Sequence, residues 1–247
     1  MIEFLNYPRY LSLVIPLYNE SERLSEQFNF LKKLLENHIN WEIIFINDGS
    51  SDKTFELLQA KTKDIKRMKV ISYNENQGKG YAIKMGVKDA ISELILFSDV
   101  DFSTPITELP LFMPFIKNNA DIIIGTRKVQ GATINRHQSY IREWLGRRFT
   151  NLSNTILGLD ISDFTCGFKL FKKDIAKKVF LKSKIKRWGF DSEILYLANK
   201  YNYKIVEVPV IWENDRRTKV NLAKDIIRSF SDLIKIRWYD AVGRYEK

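Results

Sequence analysis

Residues 94–101 read LILFSDVD, an apolar run that ends in two aspartates separated by one residue, Asp99 and Asp101. A short run that is apolar throughout and stops at polar residues is typical of a buried strand. Similar runs occupy residues 11–15 and 42–46, and each is followed by turn-forming or polar residues. The chain therefore begins with several buried strands whose carboxyl ends bear polar side chains.

Stretches with helical periodicity separate these runs, as in residues 21–38, and further strands are predicted at 69–72 and 121–124. Strands that are apolar on both faces and alternate with helices are typical of a parallel sheet covered on both sides. The predicted fold is α/β, a Rossmann-like and mostly parallel sheet flanked by helices. In such sheets ligands bind at the carboxyl ends of the strands.

The second half of the chain has a different pattern. Helices are predicted at residues 140–157 and 191–201, and strands at 168–171 and 205–210. We predict one main domain over residues 1–220 and an extension over 221–247. The helix of that extension, residues 222–238, is basic and amphipathic, so its apolar stripe could lie in a membrane interface or pack on the core.

Composition excludes several classes of protein. The chain has 247 residues, 45% of them hydrophobic, which is enough for a large core. Its one cysteine, Cys166, cannot form an internal disulfide, and with only two histidines a Cys/His zinc site is excluded. This usage favours the reducing cytosolic side of a membrane, and Cys166 is expected to be a packed side chain. No apolar run approaches the roughly 20 residues of a membrane span, and no signal peptide is recognisable.

The net charge of +10 indicates a polyanionic partner, such as a phosphorylated ligand, an anionic membrane surface or nucleic acid. Basic residues are concentrated between residues 127 and 148 and between 169 and 187. A concentration of this kind can also be an ordinary solvated face.

Each strand end is ambiguous by itself. Asp99 and Asp101 could share one divalent cation that also binds a diphosphate, or could form a polar turn. Asp48 could accept a hydrogen bond from a base or ribose, or could cap an Asx turn. Tyr18 could stack on a base, and the loop at 78–80 could hold phosphate although it lacks the P-loop spacing.

The order of these motifs along the chain is more informative than any one of them. The sequences VIPLYNE, NDGSSD, NQGKG, DVD and GTR begin at residues 14, 47, 76, 99 and 125. Together they resemble the inverting family-2 glycosyltransferases of GT-A fold, and within them the dolichyl-phosphate sugar synthases. DFTCGFKLF from Asp163 and RWGFDSE from Arg187 resemble the glucose-transferring branch, while the mannose-transferring branch shares the general plan.

The resemblance implies roles for individual residues. Asp99 and Asp101 are expected to hold Mg²⁺ or Mn²⁺ and, with Arg127, to be the catalytic residues. The acceptor phosphate is expected at Arg127, Arg136 and Ser139. The residues expected to bind the nucleotide sugar are Pro16, Tyr18, Glu20, Asp48, Gly78, Lys79, Asp99, Val100 and Lys219.

The predicted reaction is metal-dependent transfer of a hexose, with inversion, to a polyprenyl or dolichyl phosphate. The donor is predicted to be UDP-glucose, with GDP-mannose as the alternative. A phosphate monoester is already nucleophilic near neutral pH and needs no strong general base, which suits a chain with two histidines. The protein is expected to be cytoplasmic, to act peripherally on a membrane surface and to bind no nucleic acid.

Other functions predict different features. A basic nucleic-acid-binding module would bind duplexes with a steep salt dependence. A processive polysaccharide synthase would carry Gln-x-x-Arg-Trp, but this chain has Lys184 in place of the glutamine. A sugar nucleotidyltransferase would need a glycine-rich loop after the first strand, where this chain has Pro16, Leu17 and Tyr18.

Asp191, at the start of the helix predicted at 191–201, could be the N-cap of that helix.

Overall fold

The computed structural model describes residues 7–137, 139–215, 217 and 222–246, with the backbone alone for 222–227. In chain order the elements are β1 Leu11–Leu17, α1 Ser21–Asn37, β2 Trp41–Asp48, α2 Thr54–Thr62, β3 Met68–Tyr73, α3 Lys79–Asp89, β4 Leu94–Ser98, a 3₁₀ helix Ile106–Phe112, α4 Met113–Lys117, β5 Ile122–Thr126, β6 Thr133–Arg136, α5 Tyr140–Leu157, β7 Phe168–Lys172, α6 Lys173–Lys182, α7 Phe190–Lys200, β8 Ile205–Pro209, β9 Ile211–Glu213 and α8 Leu222–Ala241.

Seven strands form one sheet in the order β3-β2-β1-β4-β7-β5-β8. All neighbours are parallel except β7, which is antiparallel to both β4 and β5. The predicted mostly parallel α/β sheet is therefore confirmed. Successive strands run outward from β1 to β3, and the chain then returns to place β4 on the other side of β1. A reversal of strand order at this point opens a crevice at the carboxyl ends of β1 and β4.

Helices cover both faces of the sheet and bury its side chains in two hydrophobic clusters. One cluster packs α3, α6 and α7 on the sheet and contains Phe97, Phe171 and Phe180. The other packs α1 and the 3₁₀ helix on the opposite face and contains Leu24 and Phe112. Two-sided burial explains why the central strands are apolar at consecutive positions.

Several boundaries differ from the sequence predictions. β1 continues through Pro16 to Leu17, because beyond Val14 the strand pairs with β2 alone and a proline is tolerated at such an edge. The predicted strand at 205–210 is β8, which ends at Pro209; the short strand β9, which was not predicted, follows at Ile211 and pairs with β6 in a separate two-stranded sheet. The helix α6 follows β7 directly and was not predicted.

The last helix, α8, has two different apolar surfaces. Leu233 and Ile236 are fully buried in the core, whereas Phe230, Ile234 and Trp238 are between 44% and 52% exposed. Docking on the core therefore accounts for only part of the apolar surface of α8. Among the described residues, no helix is both long and apolar enough to cross a membrane.

Candidate active site

Two cavities open at the carboxyl ends of the parallel strands. The smaller has a volume of about 440 Å³, and the larger about 940 Å³. Lys79, Arg127, Thr165, Trp188 and Trp212 line both, so the cavities meet there. The smaller cavity brings together ten residues predicted for the site: Pro16, Tyr18, Glu20, Asp48, Gly78, Lys79, Asp99, Val100, Asp101 and Arg127.

The turn after β1 is held by the turn after β2. Asn19, which has a positive φ of 55°, accepts hydrogen bonds through Oδ1 from the backbone N–H of Ser51, and its own N–H donates to Ser50 Oγ at 2.9 Å. The N–H of Glu20 donates to Thr54 Oγ1 at 2.8 Å. These bonds fix the backbone from which Tyr18 and Glu20 project toward the smaller cavity.

Asp48 organises the loop between β3 and α3. Its carboxylate accepts from the backbone N–H groups of Gln77 at 2.8 Å and Gly78 at 2.9 Å, and from Asn76 Nδ2 at 2.7 Å. Gly78 has a φ of +106°, a conformation that L side chains rarely adopt. The carboxylate that the sequence assigns to the nucleotide thus also shapes the loop beside it. Its contact with a nucleotide stays a prediction.

The two aspartates after β4 have different partners. Asp99 Oδ1 lies 2.6 Å from Lys79 Nζ, and Asp101 Oδ1 accepts from the backbone N–H of Ser103 at 2.9 Å. Burial, and secondarily the charge of Asp99, raises the pKa of Asp101 above its usual value. A cation between the two carboxylates would relieve this repulsion.

The residues present fit a divalent ion that shares its coordination with a ligand. Asp99 and Asp101 supply hard oxygen ligands of the kind that Mg²⁺ and Mn²⁺ take. Among the described residues, no three His, Cys, Asp or Glu side chains are grouped so that they could hold a metal ion. A pair of carboxylates leaves most coordination positions to water and substrate phosphate, which is usual for Mg²⁺.

Arg127 is fixed where the cavities meet. Its guanidinium makes two bonds to the fully buried Asp163, Nε to Oδ2 at 2.7 Å and Nη2 to Oδ1 at 2.8 Å. Burial disfavours the charged form of both side chains, but the attraction between the two opposite charges is stronger. The pKa of Arg127 is therefore raised, and that of Asp163 is lowered well below its usual range. Lys128 Nζ lies 3.7 Å from the same carboxylate, so two cations share one anion.

A second buried ion pair was missed by the sequence analysis. Lys169 is fully buried on β7, and its Nζ lies 2.5 Å from Asp191 Oδ1 and 2.6 Å from the carbonyl oxygen of Cys166. Asp191 is not the N-cap of α7, which is Gly189, but lines the larger cavity. The available signal was a lysine between Phe168 and Leu170 in a strand, because a buried ammonium requires a partner. Cys166 is buried, as expected.

Three predicted residues do not join this group. Arg136 ends β6 and Ser139 precedes α5, and both are exposed and line neither cavity. The resemblance implied that these two residues share a phosphate site with Arg127, but the chain turns away through β6 before α5 begins. Lys219 lies outside the described residues.

Solved enzymes share this fold. Glucosyl-3-phosphoglycerate synthase from Mycobacterium tuberculosis, solved with Mn²⁺, UDP-glucose and phosphoglyceric acid, has a TM-score of 0.63 to this chain at 17% identity. The match covers 92% of this chain and 79% of that one. The likeness places the chain among α/β proteins of GT-A fold.

The particular family follows from sequence comparison. The model described as Glycosyl transferase family 2 matches residues 12–180, and the chain belongs to this family. It is 34% identical to a dolichyl-phosphate beta-glucosyltransferase of Trichomonas vaginalis, over 96% of this chain and 76% of the relative. It is 30% identical to the human dolichyl-phosphate beta-glucosyltransferase, over 96% and 78%. The resemblance predicted from the sequence motifs is confirmed, and the nucleic-acid-binding alternative is not favoured.

Proposed function

We propose that this glycosyltransferase moves glucose from UDP-glucose to a polyprenyl phosphate of the dolichyl type, with inversion at the anomeric carbon. The observation that carries the proposal is that Lys79 and Arg127 line both cavities. A donor diphosphate in the smaller cavity and an acceptor phosphate in the larger one would then meet at the same two cations. The names of the relatives support glucose and dolichyl phosphate as the substrates.

The donor is proposed to bind in the smaller cavity. Tyr18, at the cavity and 42% exposed, offers an aromatic face for the uracil, while Lys79 lies next to the position proposed for the diphosphate. Asp99 and Asp101 would hold the divalent ion, which when bound would stabilise the charge of the leaving diphosphate. Mg²⁺ and Mn²⁺ both suit these ligands, and the Mn²⁺ in the M. tuberculosis structure supports a divalent requirement.

The acceptor supplies its own nucleophile. An oxygen of the lipid phosphate attacks C1 of glucose, the bond from C1 to the diphosphate oxygen breaks, and UDP leaves with the bonding pair. No proton has to be removed from the attacking oxygen. The remaining obstacle is repulsion between the two phosphorylated substrates, which the clustered positive charge of Arg127, Lys128 and Arg142 on the larger cavity would offset.

The protein is proposed to work at a membrane surface. Tyr140, Ile141 and Trp144 on α5 and Phe230 and Trp238 on α8 are large, exposed and apolar. Arg147, Arg148 and Arg237 lie on the same two helices. Exposed aromatic side chains beside basic ones are typical of helices that lie in the interface of anionic bilayers. This arrangement supports peripheral binding near the lipid acceptor.

The direct test incubates the purified chain with radiolabelled UDP-glucose, farnesyl phosphate and MgCl₂ or MnCl₂. We expect a glucosyl lipid with β configuration, loss of the reaction on adding EDTA, and at least a hundredfold lower rate for Asp101→Asn, about 2.7 kcal/mol of transition-state stabilisation. GDP-mannose is run in parallel.

The outcomes test the sugar, the metal role and the proposed function separately. Faster transfer from GDP-mannose would replace glucose by mannose as the substrate. Transfer that persists in EDTA and in Asp101→Asn would overturn the metal role. No lipid product from any nucleotide sugar, in a protein that unfolds cooperatively on heating, would overturn the proposed function.

A further inference from the structure

Ten of the eleven glycines have a local structural reason to be glycine. Five have positive φ angles, namely Gly49, Gly78, Gly131, Gly158 and Gly243. At five others an added Cβ would lie within 3.4 Å of a neighbouring atom, namely Gly80, Gly86, Gly125, Gly167 and Gly189. Gly146 has neither reason, since its φ is not positive and, among the described residues, no atom apart from the helix's own backbone lies within 4 Å of where its Cβ would be.

Gly146 is also in a position where glycine is unfavourable. It lies in the middle of α5, and glycine inside a helix destabilises it relative to alanine. Because Gly146 lines the larger cavity and no described side chain occupies the adjacent space, a side chain at this position would project into the cavity. The absence of a side chain at position 146 therefore leaves space in the cavity and makes the helix less stable than alanine would.

The surroundings of Gly146 combine positive charge with apolar surface. Lys128 Nζ donates to Thr150 Oγ1 at 2.6 Å and to the Gly146 carbonyl at 3.4 Å, which places its ammonium beside this turn of α5. Burial, together with nearby Arg127 and Arg147, lowers the pKa of Lys128 although Asp163 acts in the opposite direction. Leu145 and Phe149, one on each side along the helix, line the same cavity.

This combination matches an amphiphile with a phosphate at one end. A phosphate monoester next to Lys128 and Arg127 would meet the positive charge there. The first hydrocarbon units bonded to that phosphate would then lie against Leu145 and Phe149. These hydrocarbon units would have to cross the surface of α5. Position 146 is where that surface projects least, because glycine has no side chain.

We propose that the acceptor chain crosses α5 at Gly146 and that the missing side chain sets the width of this passage. Gly146 is thus a specificity-determining residue for the bulk of the acceptor next to its phosphate. The inference rests on the proposed function and adds the path of the lipid.

The test compares Gly146→Ala and Gly146→Leu with the wild-type chain. Thr155→Leu is the control, because it places the same leucine side chain on the same helix at an exposed position that lines neither cavity. Three quantities are measured: the melting temperature, the Kd for UDP with MnCl₂, and the Kd for farnesyl phosphate by calorimetry.

We expect Gly146→Ala to raise the melting temperature by about 2 °C, because it removes a helix-interior glycine. We expect Gly146→Leu to weaken farnesyl phosphate binding by about tenfold, the effect of forcing bulk into a filled site. UDP binding should stay within about twofold in all variants, and Thr155→Leu should bind farnesyl phosphate like the wild type.

Calorimetry keeps this inference separate from the proposed function. A wild-type chain that binds farnesyl phosphate but transfers no sugar to it would overturn the proposed function alone. Normal farnesyl phosphate binding by Gly146→Leu would overturn the inference alone, and so would a lower melting temperature of Gly146→Ala. Vesicles containing phosphatidylglycerol form a separate arm, and a loss confined to vesicle binding would assign position 146 to bulk membrane contact and also overturn the inference.

Discussion

Lys79 Nζ lies 2.6 Å from Asp99 Oδ1, so the first residue of α3 is paired with the first residue after β4 across the smaller cavity. The ammonium also lies 5.7 Å from the centre of the Trp188 ring. Burial alone would lower the pKa of Lys79, but Asp99 and Asp191 raise it overall. Lys79 therefore remains a cation at the place where the two cavities meet.

We expect Lys79→Met to weaken UDP binding by about tenfold, or about 1.4 kcal/mol, because the diphosphate loses its attraction to the Lys79 ammonium. Stability should change by no more than about 1 kcal/mol, since the Asp99 side chain is 39% exposed and the pair is screened by water. UDP calorimetry and urea unfolding measure the two effects. Lys88→Met, at an exposed position of the same helix, is the control. Unchanged UDP affinity in Lys79→Met would contradict the prediction.

Asp163→Asn should destabilise the protein by about 3 kcal/mol, because it removes the fully buried carboxylate and leaves the partly buried Arg127 guanidinium without its counterion. Asp160→Asn changes an exposed carboxyl three residues earlier and should have little effect. Urea unfolding followed by circular dichroism measures both. Equal midpoints for the two variants would show that the buried pair contributes nothing to stability.

The contribution of Asp163 should also depend on pH. Its pKa in the folded protein lies below the value of about 3.9 in unfolded chains, so the stabilisation is fully present above that pH and decreases as the pH falls toward the folded pKa. The difference in unfolding free energy between wild type and Asp163→Asn should therefore shrink below about pH 4. Unfolding curves between pH 3 and 7 test this. A difference that stays constant over the range would be evidence against the lowered pKa.

Gly78→Ala should destabilise the protein more than Gly158→Ala. Both glycines have positive φ angles, and each alanine therefore incurs about 1–2 kcal/mol of backbone strain. At Gly78 the added Cβ would also lie 2.6 Å from Arg187 Cγ and 2.7 Å from the Lys186 carbonyl, whereas nothing lies within 4 Å at Gly158. Thermal unfolding of the two variants isolates the steric contribution, and identical melting temperatures would mean that the loop relaxes freely.

Lys169→Met should destabilise the protein by about 3 kcal/mol, since it leaves Asp191 as a buried carboxylate without its cation. The double variant Lys169→Met with Asp191→Asn removes both charges and should recover part of the loss. Urea unfolding of the single and double variants gives the coupling energy of the pair. Additive losses in the double variant would show that the two residues are not energetically coupled.

Local patterns in the sequence are enough to predict the α/β sheet, the alternation of its elements and ten residues of the smaller cavity. Apolar periodicity is a local property, and strand ends in a parallel sheet necessarily meet at one edge, so Asp48, Asp99 and Lys79 were predictable from their order along the chain. Helix α5 was predicted with the bounds that it has in the structure. The family followed from the same ordered motifs.

Which long-range charges are paired and which residues line the larger cavity depend on the tertiary structure. The pairs Lys169–Asp191 and Arg127–Asp163 join distant parts of the chain through side-chain directions that no local pattern encodes. The exposed positions of Arg136 and Ser139 follow from the pairing of β6 with β9, about 75 residues along the chain. The interpretation of Gly146 required the packing of the described residues around it, because the space beside a residue is not encoded in its local sequence.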